Sequence, residues 1–233
     1  YGGGIRNYYW ENIGGGDGFW VQVDGINPDI VYSESQGGEI IRTDLKQGKA
    51  FNIKPQQALN DEKLRFNWNT PIVIGQKNKR NLYIASQYLY KSVDEGKNWI
   101  KISPDLTSND KEKQKQDESG GLSTENTSAE NHCSIFTIAE SSLDDNLIWV
   151  GTDDGNLQYT TDGGKNWINV AKNYAATGIP AQTWVSSIEP SKFDKNIVYA
   201  SFDNHMYGDH KTYLAKSTDM GKTWTLFKSD DFT

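Results

Sequence analysis

The sequence predicts an all-β fold of short antiparallel strands joined by frequent turns, and three observations support this prediction. The chain has 233 residues, among them 8 Trp, 12 Tyr and 8 Phe, and aromatic residues favour strands. Its 22 Gly residues, together with many Asn, Asp and Ser, are typical of turns. In addition, the pattern Ser/Thr-x-Asp-x-Gly-x-x-Trp occurs three times along the chain.

These three occurrences span residues 92–99, 160–167 and 217–224, and we call them the repeated turns. Each follows a strand-like segment that opens with a polar turn, namely "NLYIAS", "NLIWVGT" and "NIVYAS". A fourth segment, "DIVYSES", precedes a stretch with Asp44 and Gly48 that looks like a repeated turn without its Trp. The pattern positions are occupied by Ser92, Asp94, Gly96, Trp99, Thr160, Asp162, Gly164, Trp167, Ser217, Asp219, Gly221 and Trp224.

The four units have the spacing of propeller blades. Their Asp residues stand 50, 68 and 57 residues apart, which is the range for a four-stranded blade with insertions. The sequence therefore predicts a β-propeller whose blades are four-stranded antiparallel meanders. Within one propeller domain we assign residues 1–18 to a Gly-rich lead-in from an upstream blade, 19–53 to blade one, 67–103 to blade two, 104–132 to a polar insertion, 133–170 to blade three and 184–229 to blade four.

Four blades are a permitted but uncommon number for a closed ring. We therefore expect them to be part of a larger propeller, and we expect the piece to form an open arc or to associate through its end blades. The insertion is polar and low in apolar residues, so we expect it to be mobile.

The repeated turns are predicted to hold the blades together. Their Ser/Thr and Asp side chains can bond to turn amides and their Gly can take a positive φ, which makes a metal-binding or catalytic role the less favoured alternative. Because they lie between the third and fourth strands, they share one face with the turns between strands one and two. We call the opposite face, which receives the connections between blades and the turns between strands two and three, the irregular face.

The repeated pattern resembles the Asp-box of bacterial-neuraminidase-type (BNR) repeats, and the chain resembles the sortilin-like and glycosyl-hydrolase-like propellers that carry it. Other stretches similar to that group are "GGGDGFWVQVD", "RFNWNTPIVI", "IWVGTDDGN" and "WVSSIEPSKFD". The resemblance covers nearly the whole chain except residues 104–132, and it is specific for fold but not for activity. It implies a secreted or periplasmic protein.

Candidate ligand-binding residues lie on the irregular face. Trp68 and Trp184, with Trp20 nearby, can form a stacking platform for sugar rings or peptide side chains, although each can also fill space between blades. Asp17, at the end of the Gly-rich lead-in, can line a ligand groove.

A long loop, "DNHMYGDH", follows the second strand of blade four. It contains Asp203, His205, Asp209 and His210, which suit either a metal or acid/base site or a solvated polar hairpin. Within the resembling family a similar Asp-x-His element looks recurrent, which favours Asp203 and His205 as ligand-binding residues. We predict no bound metal or cofactor.

Catalysis is an open question at this stage. A glycosidase needs two carboxyl groups roughly 5 to 9.5 Å apart. Asp17 and Asp203 are the candidates. The other acids that we expect on the irregular face, near the mouth of the central channel of the propeller, are Glu34, Glu140 and Glu189. In xyloglucanases with such blades, the resemblance implies an Asp just before a Gly-Gly pair, where this chain has Ser35 and Gln36. The four Arg residues show no sialidase motif, so sialidase activity is disfavoured.

The formal charge of −7 and the scarcity of Arg argue against nucleic acid as a partner. The sequence has no apolar run of about 20 residues, so no membrane insertion is expected. We therefore predict a propeller module that binds a peptide, protein or glycan at the irregular face. The alternative is a partial catalytic propeller of a carbohydrate-active glycoside hydrolase.

Overall fold

The computed structural model describes residues 12–59, 61–115 and 131–227. The predicted lead-in, insertion and fourth blade therefore lie partly outside the described residues. The structure consists of four antiparallel sheets of four strands each, with the strands in chain order within every sheet. This confirms the predicted all-β fold and its four-stranded meanders. Within the described ranges, no helix has the length and apolar character needed to cross a bilayer.

The sheets follow one another along the chain as blades one to four. Blade one consists of β1 (Val21–Val23), β2 (Ile30–Ser35), β3 (Glu39–Asp44) and β4 (Lys49–Asn52). Blade two consists of β5 (Ile72–Ile74), β6 (Leu82–Ala85), β7 (Leu89–Ser92) and β8 (Ile100–Lys101). Blade three consists of β9 (Ile135–Glu140), β10 (Ile148–Thr152), β11 (Leu157–Thr160) and β12 (Ile168–Asn169). Blade four consists of β13 (Trp184–Pro190), β14 (Val198–Asp203), β15 (Tyr213–Ser217) and β16 (Thr225–Leu226). A short helix, α1 (Ala171–Ala175), lies in the connection between blades three and four.

The strands differ in burial according to their place in the blade. All five residues of β10 are buried, because neighbouring blades cover both faces of this middle strand. By contrast, the outer strands β4, β8 and β12 are exposed throughout. Two of these, β8 and β12, are only two residues long, which limits the unpaired edge that a blade offers to other chains.

The core is divided into three apolar clusters, each between adjacent blades. Tyr32 belongs to the cluster between blades one and two, Leu89 to that between two and three, and Phe202 to that between three and four. Among the described residues, none of these clusters joins blade four to blade one. The clusters therefore join each blade to the next one along the chain.

The two ends of this series differ in chemistry. The free face of blade one exposes apolar residues, since Val21 is 53% and Val23 is 54% exposed. The free face of blade four carries Tyr199, Ser201 and Lys216, which alternate with residues buried against blade three. The two ends therefore differ, with valines exposed at one and a mixture of aromatic and polar side chains at the other.

Each repeated turn is closed by its own side chains. In blade three the Thr160 hydroxyl donates to Asp162 at 2.8 Å and accepts the N–H of Gly164 at 3.0 Å. The same pair of bonds occurs in blades two and four. Hydrogen bonds from Asn166 lower the pKa of Asp162 to about 2. The Asp carboxylates are therefore occupied by donors of their own turns.

The repeated turns also dock onto the preceding blade. The indole N–H of Trp99, in blade two, donates to the carbonyl of Ile53, next to blade one, at 2.7 Å. Gly164 has a φ of 103°, and a Cβ at this position would lie 2.3 Å from the carbonyl oxygen of Ile102. A side chain is excluded there by both backbone conformation and space.

The first part of the insertion differs from the prediction of a mobile segment. Leu106 is fully buried, and its carbonyl accepts the side-chain amide of Gln158 in blade three at 2.5 Å. Lys111 binds Glu62, and Lys113 binds Gln182, at 2.7 and 2.6 Å. Residues 104–115 are therefore packed across the irregular face, because one apolar side chain and several polar contacts secure a segment that is polar on average. Residues 116–130 lie outside the described residues.

Candidate functional site

The irregular face begins at the lead-in segment with Asp17. This residue is exposed, and its backbone N–H donates to the side-chain oxygen of Gln36 at 3.2 Å. Gln36 opens the turn between β2 and β3, and the N–H of the next residue, Gly37, donates to the carbonyl of Trp68 at 3.2 Å. Asp17 and Trp68 are thus connected through the same turn of blade one.

Trp68 lies in a short segment, residues 67–70, that is held at both ends by buried carboxyl groups. At one end the side-chain amide of Asn67 donates to Asp153 of blade three at 3.0 Å. At the other end the N–H of Thr70 donates to Glu34 of blade one at 3.4 Å. The Trp68 side chain is half-buried between these two anchors. The chain on both sides of Trp68 is therefore anchored by two other blades.

Glu34 is the anchor in blade one. It is 2% exposed, and its Oε1 also accepts the N–H of Gly38 at 3.2 Å. Its Oε2 is buried and has no partner among the described residues. Burial outweighs the backbone hydrogen bonds and raises the pKa of Glu34 to about 8. The group is therefore protonated at neutral pH and acts as an internal support for the turn.

Asp153 is the centre of a buried polar cluster between blades two and three. It accepts the backbone N–H and the hydroxyl of Ser134, at 2.9 and 2.5 Å, in addition to the amide of Asn67. Burial and the neighbouring Asp154 raise the pKa of Asp153, although the hydrogen bonds from Ser134 and Asn67 act to lower it. Asp154 in turn accepts the hydroxyl of Thr152 at 2.5 Å and the N–H of Ser108 at 2.7 Å. The cluster joins the insertion to blade three.

His132 and Arg65 complete this cluster. His132 is buried, burial lowers its pKa, and its Nε2 has no partner among the described residues. Arg65 is also buried and binds Asp105 at 2.6 Å and the carbonyl of Cys133 at 3.0 Å. Both residues border a cavity of about 80 Å³, which is too small for a sugar ring. The cluster is a support beneath the irregular face.

Trp20 and Trp184 are packed into the protein. Trp20 is half-buried against the core between blades one and two, and its indole nitrogen is buried. Trp184 begins β13, is 8% exposed and meets Phe136 edge-to-face at 5.2 Å between ring centroids. Protein atoms therefore cover most of the Trp184 ring.

Asp203 ends β14, and His205 lies in the loop that follows. The Asp203 carboxylate accepts the backbone N–H of His205 at 3.0 Å and lies 2.6 Å from its Nδ1. Partial burial acts to raise the pKa of Asp203, but these contacts outweigh it and hold the pKa below its usual value. Asp209 accepts the Tyr213 hydroxyl at 2.7 Å and closes the loop. Within residues 12–59, 61–115 and 131–227, no three His, Cys, Asp or Glu side chains are grouped to hold a metal.

The placement of the acids corrects one expectation. Glu140 and Glu189 pair with Ile148 and Tyr199, near the turns between the first and second strands of their blades. They therefore lie on the face of the repeated turns, and their prediction near the mouth of the irregular face is wrong. The reason is the length of the inner strands. Both β9, with six residues, and β13, with seven, start at the irregular face, so the glutamates near their ends lie on the opposite face.

The comparisons with known proteins agree with this architecture. Neither protein-family models nor curated protein sequences give a match. Among solved structures, a GH74 xyloglucanase from Xanthomonas campestris is similar, with a TM-score of 0.62 at 14% identity over 92% of this chain and 31% of the enzyme. The fold is that of β-propeller blades.

Two proteins of Bacteroides thetaiotaomicron are also similar in fold. An extracellular domain matches with a TM-score of 0.53 at 14% identity, over 93% of this chain and 23% of that one. An auxiliary nutrient binding protein matches with a TM-score of 0.51 at 11% identity, over 91% of this chain and 42% of that one. This chain spans about a quarter to a third of the length of the GH74 enzymes that it matches.

Sequence reasoning misses the two anchors of the Trp68 segment. From the sequence, Glu34 is only one of several candidate acids, and Asp153 is only part of the familial stretch "IWVGTDDGN". The sequence signal for these anchors is an acidic residue at the end of a strand of apolar and small residues. It does not identify Asn67 or Thr70 as partners, because those contacts join blades that are distant in sequence.

Proposed function

We propose that this chain is part of a carbohydrate-active glycoside hydrolase built on a β-propeller, and that its irregular face binds the polysaccharide. The observation that carries the proposal is the half-buried Trp68, which lies in a short segment anchored on both sides of it by Asp153 and Glu34 from two other blades. An aromatic ring in a fixed position offers a stacking surface at little entropic cost. Exposed Asp17 lies beside the same turn and supplies an acceptor for sugar hydroxyls.

The carboxyl groups define what this chain contributes to chemistry. Glycoside hydrolysis needs one carboxylic acid that is protonated near neutral pH and one carboxylate. Among the described residues, the carboxyls with raised pKa values are Glu34 and Asp153, and both are buried. Asp203 is partly exposed and its pKa is lowered, which suits the ionised role. In this proposal the chain binds the glycan, offers Asp17 or Asp203 as the carboxylate, and depends on the rest of the parent protein for the acid.

Several finer assignments belong to the same proposal. The repeated turns serve as Asp-boxes, the remaining blades of a larger propeller are the protein partners, and the parent protein is secreted or periplasmic. The likeness to a xyloglucanase, to an extracellular domain and to a nutrient binding protein supports these assignments. The alternative is a sortilin-like module that binds a peptide or protein at the same face without any hydrolysis.

Binding is tested by titrating the chain with xyloglucan and with other soluble polysaccharides. We expect saturable binding to at least one of them, and Trp68→Ala should weaken it about tenfold or more. Phe193→Ala is the matched control, because this ring is 96% exposed in the turn after β13, on the other face. A folded chain that binds no polysaccharide, or a Trp68→Ala variant that binds as well as Phe193→Ala, would contradict the proposal.

Hydrolysis is tested separately. The chain alone should release no reducing ends from the polysaccharide that it binds. Turnover that is abolished by Asp17→Asn or by Asp203→Asn would show that the chain holds a complete acid and base pair, and would overturn the division of roles proposed here. Binding of a peptide library in place of glycans would favour the sortilin-like alternative.

A further inference from the structure

A groove of about 660 Å³ lies on the outer rim, between β4 of blade one and the repeated turn of blade two. Its volume falls in the range of small-molecule sites. The residues that define its chemistry are Arg42, Phe51, Lys54, Tyr90, Lys97 and Trp99. One side of the groove is the repeated turn, at the opposite ends of the strands from the irregular face, and the other side is β4 with residues 53–56 of the connection between blades one and two.

The groove offers aromatic surface. Phe51 is 52% exposed although it lies on a strand, and the half-buried rings of Tyr90 and Trp99 line the same groove. Trp99 is held in place by its hydrogen bond to the carbonyl of Ile53. Rings that are fixed and partly open suit the C–H faces of sugar rings.

The groove is also cationic. Three cations, Arg42, Lys54 and Lys97, border it, and no Asp or Glu is among its described lining residues, although the chain as a whole has a net charge of −7. Glu95 pairs with both Arg42 and Lys97, and Glu39 pairs with Lys54, so three cations face two carboxylates. The cations remain in excess by one, which favours an anionic ligand over a cationic one.

Arg42 supplies an unused donor at this site. Its side chain is nine-tenths buried, and one terminal nitrogen pairs with Glu95. Its Nε–H is buried and has no partner among the described residues. A buried donor without an acceptor is costly, so a ligand oxygen that reaches it gains a charge-assisted hydrogen bond.

We propose that this rim groove binds an acidic oligosaccharide, with sugar rings against the aromatic side chains and a uronic acid carboxylate at Arg42 and Lys97. The side-chain amides of Gln56 and Asn98 also line the groove and can bond to hydroxyl groups. Neither Trp68 nor Asp17 is among the described residues that line the groove. It would hold a second stretch of polysaccharide at the edge of the blades.

The experiment is a calorimetric titration of the full chain with trigalacturonate, with cellotriose as the neutral probe and triglutamate as the acidic peptide probe. We expect a Kd for trigalacturonate below about 1 mM, weaker binding as NaCl increases, and little binding of the other two probes. Phe51→Ala and Lys97→Gln should each weaken binding at least about fivefold. Both side chains are exposed, so both variants should fold.

Two variants serve as controls. Phe193→Ala removes an exposed ring elsewhere, and Lys165→Gln changes the residue that corresponds to Lys97 in the repeated turn of blade three. Both should bind trigalacturonate as the unchanged chain does. The proposal is overturned if trigalacturonate does not bind saturably, if Phe51→Ala and Lys97→Gln leave its affinity unchanged, or if triglutamate binds equally well.

Discussion

The side-chain amide of Asn67 donates a 3.0 Å hydrogen bond to Asp153, which connects two blades through a buried carboxylate. Asn67 immediately precedes Trp68, in the connection between blades one and two, whereas Asp153 follows β10 of blade three. Asp153 also accepts two hydrogen bonds from Ser134. One carboxylate therefore positions the aromatic residue that we propose for glycan binding.

Removal of this carboxylate should destabilise the chain. Asp153→Ala leaves the donors of Asn67 and Ser134 unpaired in a buried site, and we expect the free energy of unfolding to fall by about 3 kcal/mol. Asp153→Asn keeps one acceptor oxygen and should cost less. Urea unfolding followed by fluorescence gives both values. If the two variants are equally stable, the hydrogen bonds to Asp153 are not the source of the stability.

Stability should depend on pH through Glu34. Its pKa is about 8 in the folded chain, against an ordinary value of 4.5, so between these values the folded state holds a proton that the unfolded state has released. The stabilisation is complete below about pH 4.5 and is lost as pH rises towards 8 and beyond, by on the order of 3 kcal/mol. Glu34→Gln mimics the protonated side chain and should remove most of this slope. Thermal unfolding at pH 5 and pH 8 measures the slope. If the variant keeps the same slope, Glu34 is not the source of the pH dependence.

Two glycine substitutions test how much the contact between a repeated turn and the preceding blade contributes to stability. Gly164 and Gly208 both have positive φ, at 103° and 74°. A Cβ on Gly164 would lie 2.3 Å from the carbonyl of Ile102, whereas one on Gly208 would meet nothing within 4 Å. We expect Gly208→Ala to cost about 1 kcal/mol and Gly164→Ala about 3 kcal/mol or more. Equal losses would mean that backbone conformation alone, and not contact with blade two, requires glycine in this turn.

The single cysteine reports on the support beneath the irregular face. Cys133 is fully buried, and burial raises its pKa from 9 to about 11, so the thiolate that reacts with alkylating reagents is about a hundredfold rarer than for a free thiol. Native Cys133 should react with iodoacetamide only when the structure opens. Asp153→Ala should accelerate the reaction, and Lys165→Gln should not. Rapid alkylation of the native chain would show that this region is open in solution.

Much of the fold is predictable because its signals are local. The pattern from Ser92 to Trp99 and its copies places the turn between strands three and four by side chains within eight residues of one another. The alternation of the strands then follows from the antiparallel meander. The fold class and the four blades therefore need no information about distant contacts.

The candidate site is less predictable because its contacts are not local. Asn67 and Asp153 are 86 residues apart, and nothing in either neighbourhood indicates the other. Leu106 shows the same limit, since one apolar residue secures a polar insertion that composition predicts to be mobile. The Asp203 and His205 pair can be found from sequence, because a two-residue spacing brings the groups together within one loop.

The two ends of the blade series differ in the side chains that they expose. Among the described residues, the free face of blade one exposes Val21 and Val23, whereas that of blade four carries Tyr199, Ser201 and Lys216. Contact between two blade-one faces would be isologous and would bury the apolar patch of both copies at once. Such an assembly would have a twofold axis and would be complete with two copies.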